Sequence, residues 1–209
     1  MAYDDYKQVD HVAQVPMDNA LTDAQGTKLY REGILKVLES QPAFSAATQE
    51  GQKLAVGYPY LQNAPCAFST SAALRYAAKL TDTPNLREVI TLVASNNERI
   101  HTCTNEVEVS MRRLGFNYFD KDLYVAPMGA IGLLNDRSPN SSCHGVSQTK
   151  SGHIYFIMED RGGRGFKDLI TDNFVRFKII YKAPGSDSGT DGFWLPPGVV
   201  PARRDAAHR

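Results

Sequence analysis

Apolar positions recur with helical spacing in the first half of the chain and as unbroken or alternating runs in the second. Leu29, Ile34, Leu35, Val37 and Leu38 form a helix-like stripe that stops near Pro42. A loop with Gly51, Gly57 and Pro59 is expected after it. The next helix is expected to begin at Pro65, because a proline in the first turn gives up an N–H that has no intrahelical partner there. Ala67, Ala73, Leu74, Ala77 and Leu80 carry that helix toward Thr81, and the small residues Ala67, Ser71 and Ala72 would let a sheet approach closely. Further helices are expected over residues 86–94 and 105–114. The second has Val107, Met111 and Leu114 on one side and Gly115 as its C-terminal stop. Residues 116–150 read as irregular. They carry apolar patches at 123–125 and 131–134, and a loop rich in Ser, Asn, Pro and Gly over 135–150.

The pattern then changes. Residues 154–158 are continuously apolar, as in a strand buried on both faces. Asp160-Arg161-Gly162-Gly163-Arg164 reads as a turn, with a return strand over 166–170. Residues 174–181 begin with alternation, Phe174, Arg176 and Lys178 against Val175, Phe177 and Ile179. The chain after Pro184 is loop-like apart from a short strand at Phe193-Trp194-Leu195. Helices first and strands later indicate an α+β domain. The helix from Pro65 is expected to pack on an antiparallel sheet containing residues 153–158 and 174–181. The division expected is a polar lead-in over 1–25, one domain over 26–200 and a tail over 201–209. No internal repeat or low-complexity tract is visible.

Composition narrows the function classes. Of the 209 residues 42% are hydrophobic, enough for an ordinary core in a single domain. The 23 basic and 23 acidic side chains cancel, which argues against a nucleic-acid partner held by electrostatic attraction. No apolar run approaches a membrane span, so membrane insertion is not expected. The N-terminus, Met1-Ala2-Tyr3-Asp4-Asp5-Tyr6, lacks the basic and apolar regions of a signal peptide. Cytoplasmic synthesis is expected, with any extracellular action requiring another export route. The three cysteines, Cys66, Cys103 and Cys143, have no zinc-ligand spacing, so neither a metal nor another cofactor is expected. Cys103 and Cys143 are open to two readings, a disulfide that leaves Cys66 free or buried reduced thiols.

Cys66 is where the pattern points to chemistry. A thiol in the first turn of a helix sits at the positive end of the helix dipole, which lowers its pKa and favours the nucleophilic thiolate. Its own N–H, unused in the first turn, is suited to an oxyanion, with Tyr58, Tyr60, Gln62 or Asn63 as the second donor or substrate contact. A small buried residue packing the helix start is the structural alternative. His153, directly after Gly152 at the start of an apolar strand, has little packing purpose and is the expected base. His144 in Cys143-His144-Gly145 is its rival. A histidine base needs a group that fixes its tautomer. Glu159 and Asp160 lie too far along an unbroken strand, at about 3.3 Å per residue. A hairpin around Gly162 would return residues 168–172 beside His153, making Asp168 and Asp172 the candidates.

The segments Pro65-Cys66-Ala67-Phe68-Ser69-Thr70-Ser71-Ala72-Ala73-Leu74 and Ser151-Gly152-His153-Ile154-Tyr155-Phe156-Ile157 together resemble the NlpC-like branch of the papain superfamily. Within it the chain looks most like the small cysteine amidases that bacteria inject through type VI secretion. The resemblance implies a papain-like α+β fold and cleavage of amide bonds in peptidoglycan stem peptides. It also implies delivery to a target-cell periplasm without a signal peptide, and a cognate immunity protein. The resemblance rests on two short motifs and supplies no third catalytic position. Other readings compatible with the residues are a phage-type lysin, a papain-like deamidase or transglutaminase, and a non-enzymatic virion or interaction protein.

Overall fold

The computed structural model describes residues 20–56, 65–83, 111–134, 153–160, 166–172, 178–181 and 192–204. Within them the protein is an α+β fold, with helices on one face of an antiparallel sheet. The expected helix over 86–94, the loop 135–150, the turn at Gly162, and Cys103, His144 and Cys143 lie outside the described residues.

The helical layer begins with Thr22. Its hydroxyl accepts the Gln25 N–H (3.2 Å) while Gln25 Oε1 accepts the Thr22 N–H (2.9 Å), a reciprocal cap that satisfies two otherwise orphan donors. Helix α1 (Asp23–Lys28) runs without a break through a π-helical segment (Leu29–Ile34) into α2 (Leu35–Glu39). Ser40 ends this rod in extended backbone and starts the next helix. Its N–H donates to the Lys36 carbonyl (3.0 Å), and its own carbonyl accepts from Phe44 (2.8 Å). Helix α3 (Gln41–Val56) therefore occupies the segment whose sequence reads as a loop. Pro42 was expected to stop a helix, but it sits in the first turn of one, where its missing N–H costs nothing. Helix α4 (Pro65–Thr81) has the start and end expected of it.

Two helix ends show how local chemistry closes the layer. At the end of α4 the Thr83 N–H reaches back to the Ala78 carbonyl (2.9 Å), with Asp82 in the left-handed region at φ 52°. Residues 111–113 are the last helical residues before Gly115, whose φ is 79°. There Phe116 N–H donates to the Met111 carbonyl and Gly115 N–H to that of Arg112, both 3.0 Å. Gly115 is thus the helix stop that the sequence predicts.

The six strands are β1 (Asn117–Asp120), β2 (Ile131–Leu134), β3 (His153–Asp160), β4 (Phe166–Asp172), β5 (Lys178–Tyr181) and β6 (Gly192–Leu195). Their order is β1-β6-β2-β3-β4-β5, and every pairing is antiparallel. β1 and β2 fall where the sequence reads as irregular; both are only four residues long, and β2 carries Gly132 in its middle. β3, β4 and the Phe193–Leu195 strand stand where they were expected. β6, however, lies inside the sheet, between β1 and β2.

The period-two alternation of strands divides the sheet into two faces. Ile131, Ile154, Phe156 and Trp194 join Leu29, Ile34, Val37, Ala73, Leu74 and Ala77 in one core, between sheet and helices. α4 packs directly on β3 and β4, and on the π segment. Small residues permit this: a Cβ on Gly33 would lie 2.8 Å from the Ala77 carbonyl oxygen. The opposite face carries a second cluster, Tyr155, Ile157, Phe193 and Leu195, covered by Ala126 and Ala130 of the β1–β2 connection and by Tyr30. No described helix is long and apolar enough to cross a membrane.

Candidate functional site

The candidate site is defined by where two elements start. Cys66 is the second residue of α4, directly after Pro65, so its N–H belongs to the first helical turn and has no intrahelical carbonyl to serve. His153 is the first residue of β3, opposite Leu134 of β2. The helix that carries the cysteine and the strand that carries the histidine are packed together through Ala72, Ala73, Leu74, Ala77, Ile154 and Phe156. Tyr58, Tyr60, Gln62, Asn63 and Gly152 lie outside the described residues.

Strand register separates the two carboxylates proposed to orient the histidine. In the β3–β4 ladder Phe156 stands opposite Leu169, and Ile157 opposite Asp168. Asp168 is therefore level with a position four residues beyond His153, about 13 Å along the strand. Three further residues along each strand lead from the Phe156–Leu169 pair to His153 and Asp172. On its other side Asp172 pairs with Lys178 of β5. The register thus brings Asp172, and not Asp168, level with His153.

The alternation along β3 is equally specific. Ile154 and Phe156 belong to the core built with α4, whereas Tyr155 and Ile157 belong to the second cluster. Position 153 carries the odd parity of Tyr155 and Ile157. The only departure from regular pairing in the β3–β4 ladder is the shift between Ile157 and Glu159, at the far end of the strand.

Other features of the described residues lie elsewhere. A shallow groove of about 530 Å³ runs along α1, lined by Asp23, Thr27, Lys28, Arg31 and Glu32, and no candidate residue borders it. Among the described residues no group of three His, Cys, Asp or Glu side chains is close enough to hold a metal ion. Tyr30 is buried with its hydroxyl donating to the Met128 carbonyl (2.6 Å). Burial first, then the nearby Glu39 charge, raises its phenol pKa, opposed by Arg31. Sequence reasoning passed over one buried polar group, Asp160, which was read as part of a turn. Its carboxylate lies beneath the C-terminal segment and pairs with Arg204. No local pattern signals a partner so distant in sequence. No protein-family model, no curated protein and no solved structure matches this chain.

Proposed function

We propose that this protein is a papain-like, NlpC-like cysteine amidase that hydrolyses amide bonds in peptidoglycan stem peptides. The observation that supports this reading best is the juxtaposition of elements: a helix with cysteine in its first turn packs on the strand that opens with histidine. In this mechanism the Cys66 thiolate attacks the amide carbonyl, and its backbone N–H stabilises the oxyanion. His153 takes the thiol proton and returns it to the leaving amine. Water then attacks the thioester, with His153 as base, releasing the carboxylate and restoring the thiol. Asp172 is the orienting carboxylate, since the strand register favours it over Asp168. Tyr58, Gln62 and Asn63, just before the nucleophile, contact the substrate.

The reading extends to delivery. The protein acts as an antibacterial effector, carried by a type VI secretion machine into the periplasm of a target cell and held harmless in the producer by an immunity partner. The N-terminal sequence and the resemblance support this part.

Digestion of purified peptidoglycan, with released fragments identified by mass spectrometry, tests the chemistry. Wild-type protein should release peptides, and Cys66→Ala should release none while keeping its fold. Asp172→Asn should slow release by roughly 10²- to 10⁴-fold, and Asp168→Asn should leave it near wild type. Lysis of the wall polymer by Cys66→Ala at the wild-type rate would overturn the mechanism.

The parity of position 153 favours a second reading, a non-enzymatic interaction protein with an incidental thiol. The two readings differ in thiol reactivity. A nucleophilic Cys66 is alkylated rapidly near neutral pH and is protected by a peptidoglycan fragment; a packing cysteine shows neither behaviour.

A further inference from the structure

The second face of the sheet is closed by a segment that is held almost entirely by polar contacts. Asp160 ends β3, and its side chain is 2% exposed. Its Oδ2 accepts the Ala126 N–H (2.8 Å) and pairs with the Arg204 guanidinium. Arg204 also donates from Nε to the Lys121 carbonyl (2.7 Å) and from its backbone N–H to the Leu123 carbonyl (2.9 Å). Val125 N–H donates to the Ala202 carbonyl (2.9 Å), and the Arg203 guanidinium lies 5.7 Å from the Tyr124 ring centre. Apolar anchoring is slight by comparison. Val199 is only partly buried against the cluster, and Val200 is exposed.

We infer that residues 199–204 form a strap that fastens the β1–β2 connection onto the second face of the sheet, and that strap and connection open together, ahead of the helical face. The contacts named above run to Lys121, Leu123, Tyr124, Val125 and Asp160, and none runs to a helix. A unit with few buried apolar contacts and its own hydrogen bonds is one that opens below the free energy of global unfolding. Removing the guanidinium leaves Asp160 as a buried charge without its counter-ion, which drives the opening. Opening uncovers Tyr155, Phe193, Ala126 and Ala130 as one apolar surface, so Asp160 is the catch that keeps this surface covered.

Native-state hydrogen exchange on the full chain tests the strap. In the wild type the amides of Val125, Ala126 and Arg204 should exchange together, through an opening that depends weakly on denaturant. Leu74 and Ala78 of α4 should exchange only with global unfolding. In Arg204→Ala the strap reporters Val125 and Ala126 should lose at least about tenfold of their protection, while α4 stays protected and the near-ultraviolet signal of Trp194 persists. Arg204→Lys keeps the charge but not the Nε–H fork and should give an intermediate loss. Exchange of the strap amides at the free energy of Leu74, unchanged protection in Arg204→Ala, or complete unfolding of that variant would each overturn the inference.

Discussion

Two residues carry measurable strain or strength of their own. Asp82 holds a left-handed φ of 52°, which an L side chain adopts at a cost, because the Thr83 N–H must reach Ala78 for α4 to end. Asp82→Gly should therefore stabilise the fold by about 1 kcal/mol, read as a higher urea midpoint at unchanged slope. Tyr30 works the other way. Losing its hydroxyl in Tyr30→Phe leaves the Met128 carbonyl without this donor and should cost about 1 kcal/mol near neutral pH. The raised phenol pKa adds a pH signature. The neutral phenol's contribution is complete below the unfolded value of about 10 and is lost as pH rises through the folded one. Urea titrations at pH 8 and above pH 10 should show a steeper alkaline loss in the wild type than in Tyr30→Phe.

At the scale of elements, the crossing of the π segment over α4 is set by Gly33. Alanine there would gain about 1 kcal/mol of helix propensity. Against this, its Cβ would sit 2.8 Å from the Ala77 carbonyl oxygen, a backbone atom that cannot swing aside, and such overpacking costs about 1–3 kcal/mol. Gly33→Ala should thus be destabilising, with a lower melting temperature; a rise would show that the crossing gives way. The π segment itself has no sequence signature, since its apolar spacing differs little from that of an α-helix. Elements were legible where one physical cue dominated. The run 154–158 is too apolar for anything but a buried element, and Gly115 is the one residue near its helix end that takes a positive φ freely. Pro42 misled because proline marks the residue before a helix end and the first turn of a helix alike; Ser40 made the difference. β1 and β2 were hidden because four residues are too few to establish alternation. At the candidate site the two motif residues could be picked out from sequence. The choice between Asp168 and Asp172 could not, because it depends on strand register.

For the whole molecule, the proposed function and the proposed delivery make one joint prediction. Expressed in the cytosol of a wall-bearing bacterium, the chain should be tolerated. Directed to the periplasm by an added signal sequence, it should lyse the cells, and Cys66→Ala should not. Measuring culture density and cell shape in the three strains checks this. Equal toxicity from the cytosolic form would point to an intracellular target. The neutral balance of 23 acidic and 23 basic residues agrees with a substrate recognised by local contacts, not by long-range attraction.

The interior place of β6 sets the order in which the protein can be made. During synthesis β1 and β2 emerge early, yet β1 pairs with β6, and β2 keeps one open edge until residues 192–195 arrive between them. Until then the hydrogen-bonding edges and apolar side chains of Phe119 and Ile131 wait without their final neighbour. The hairpin of β3 and β4 is free to form as it is translated, but the sheet as a whole is completed from its middle, last. Such long-range closure is slow and leaves open edges prone to association. A nascent chain of this protein therefore depends on shelter late in synthesis, and one broken off before residue 192 lacks the strand that joins its two ends.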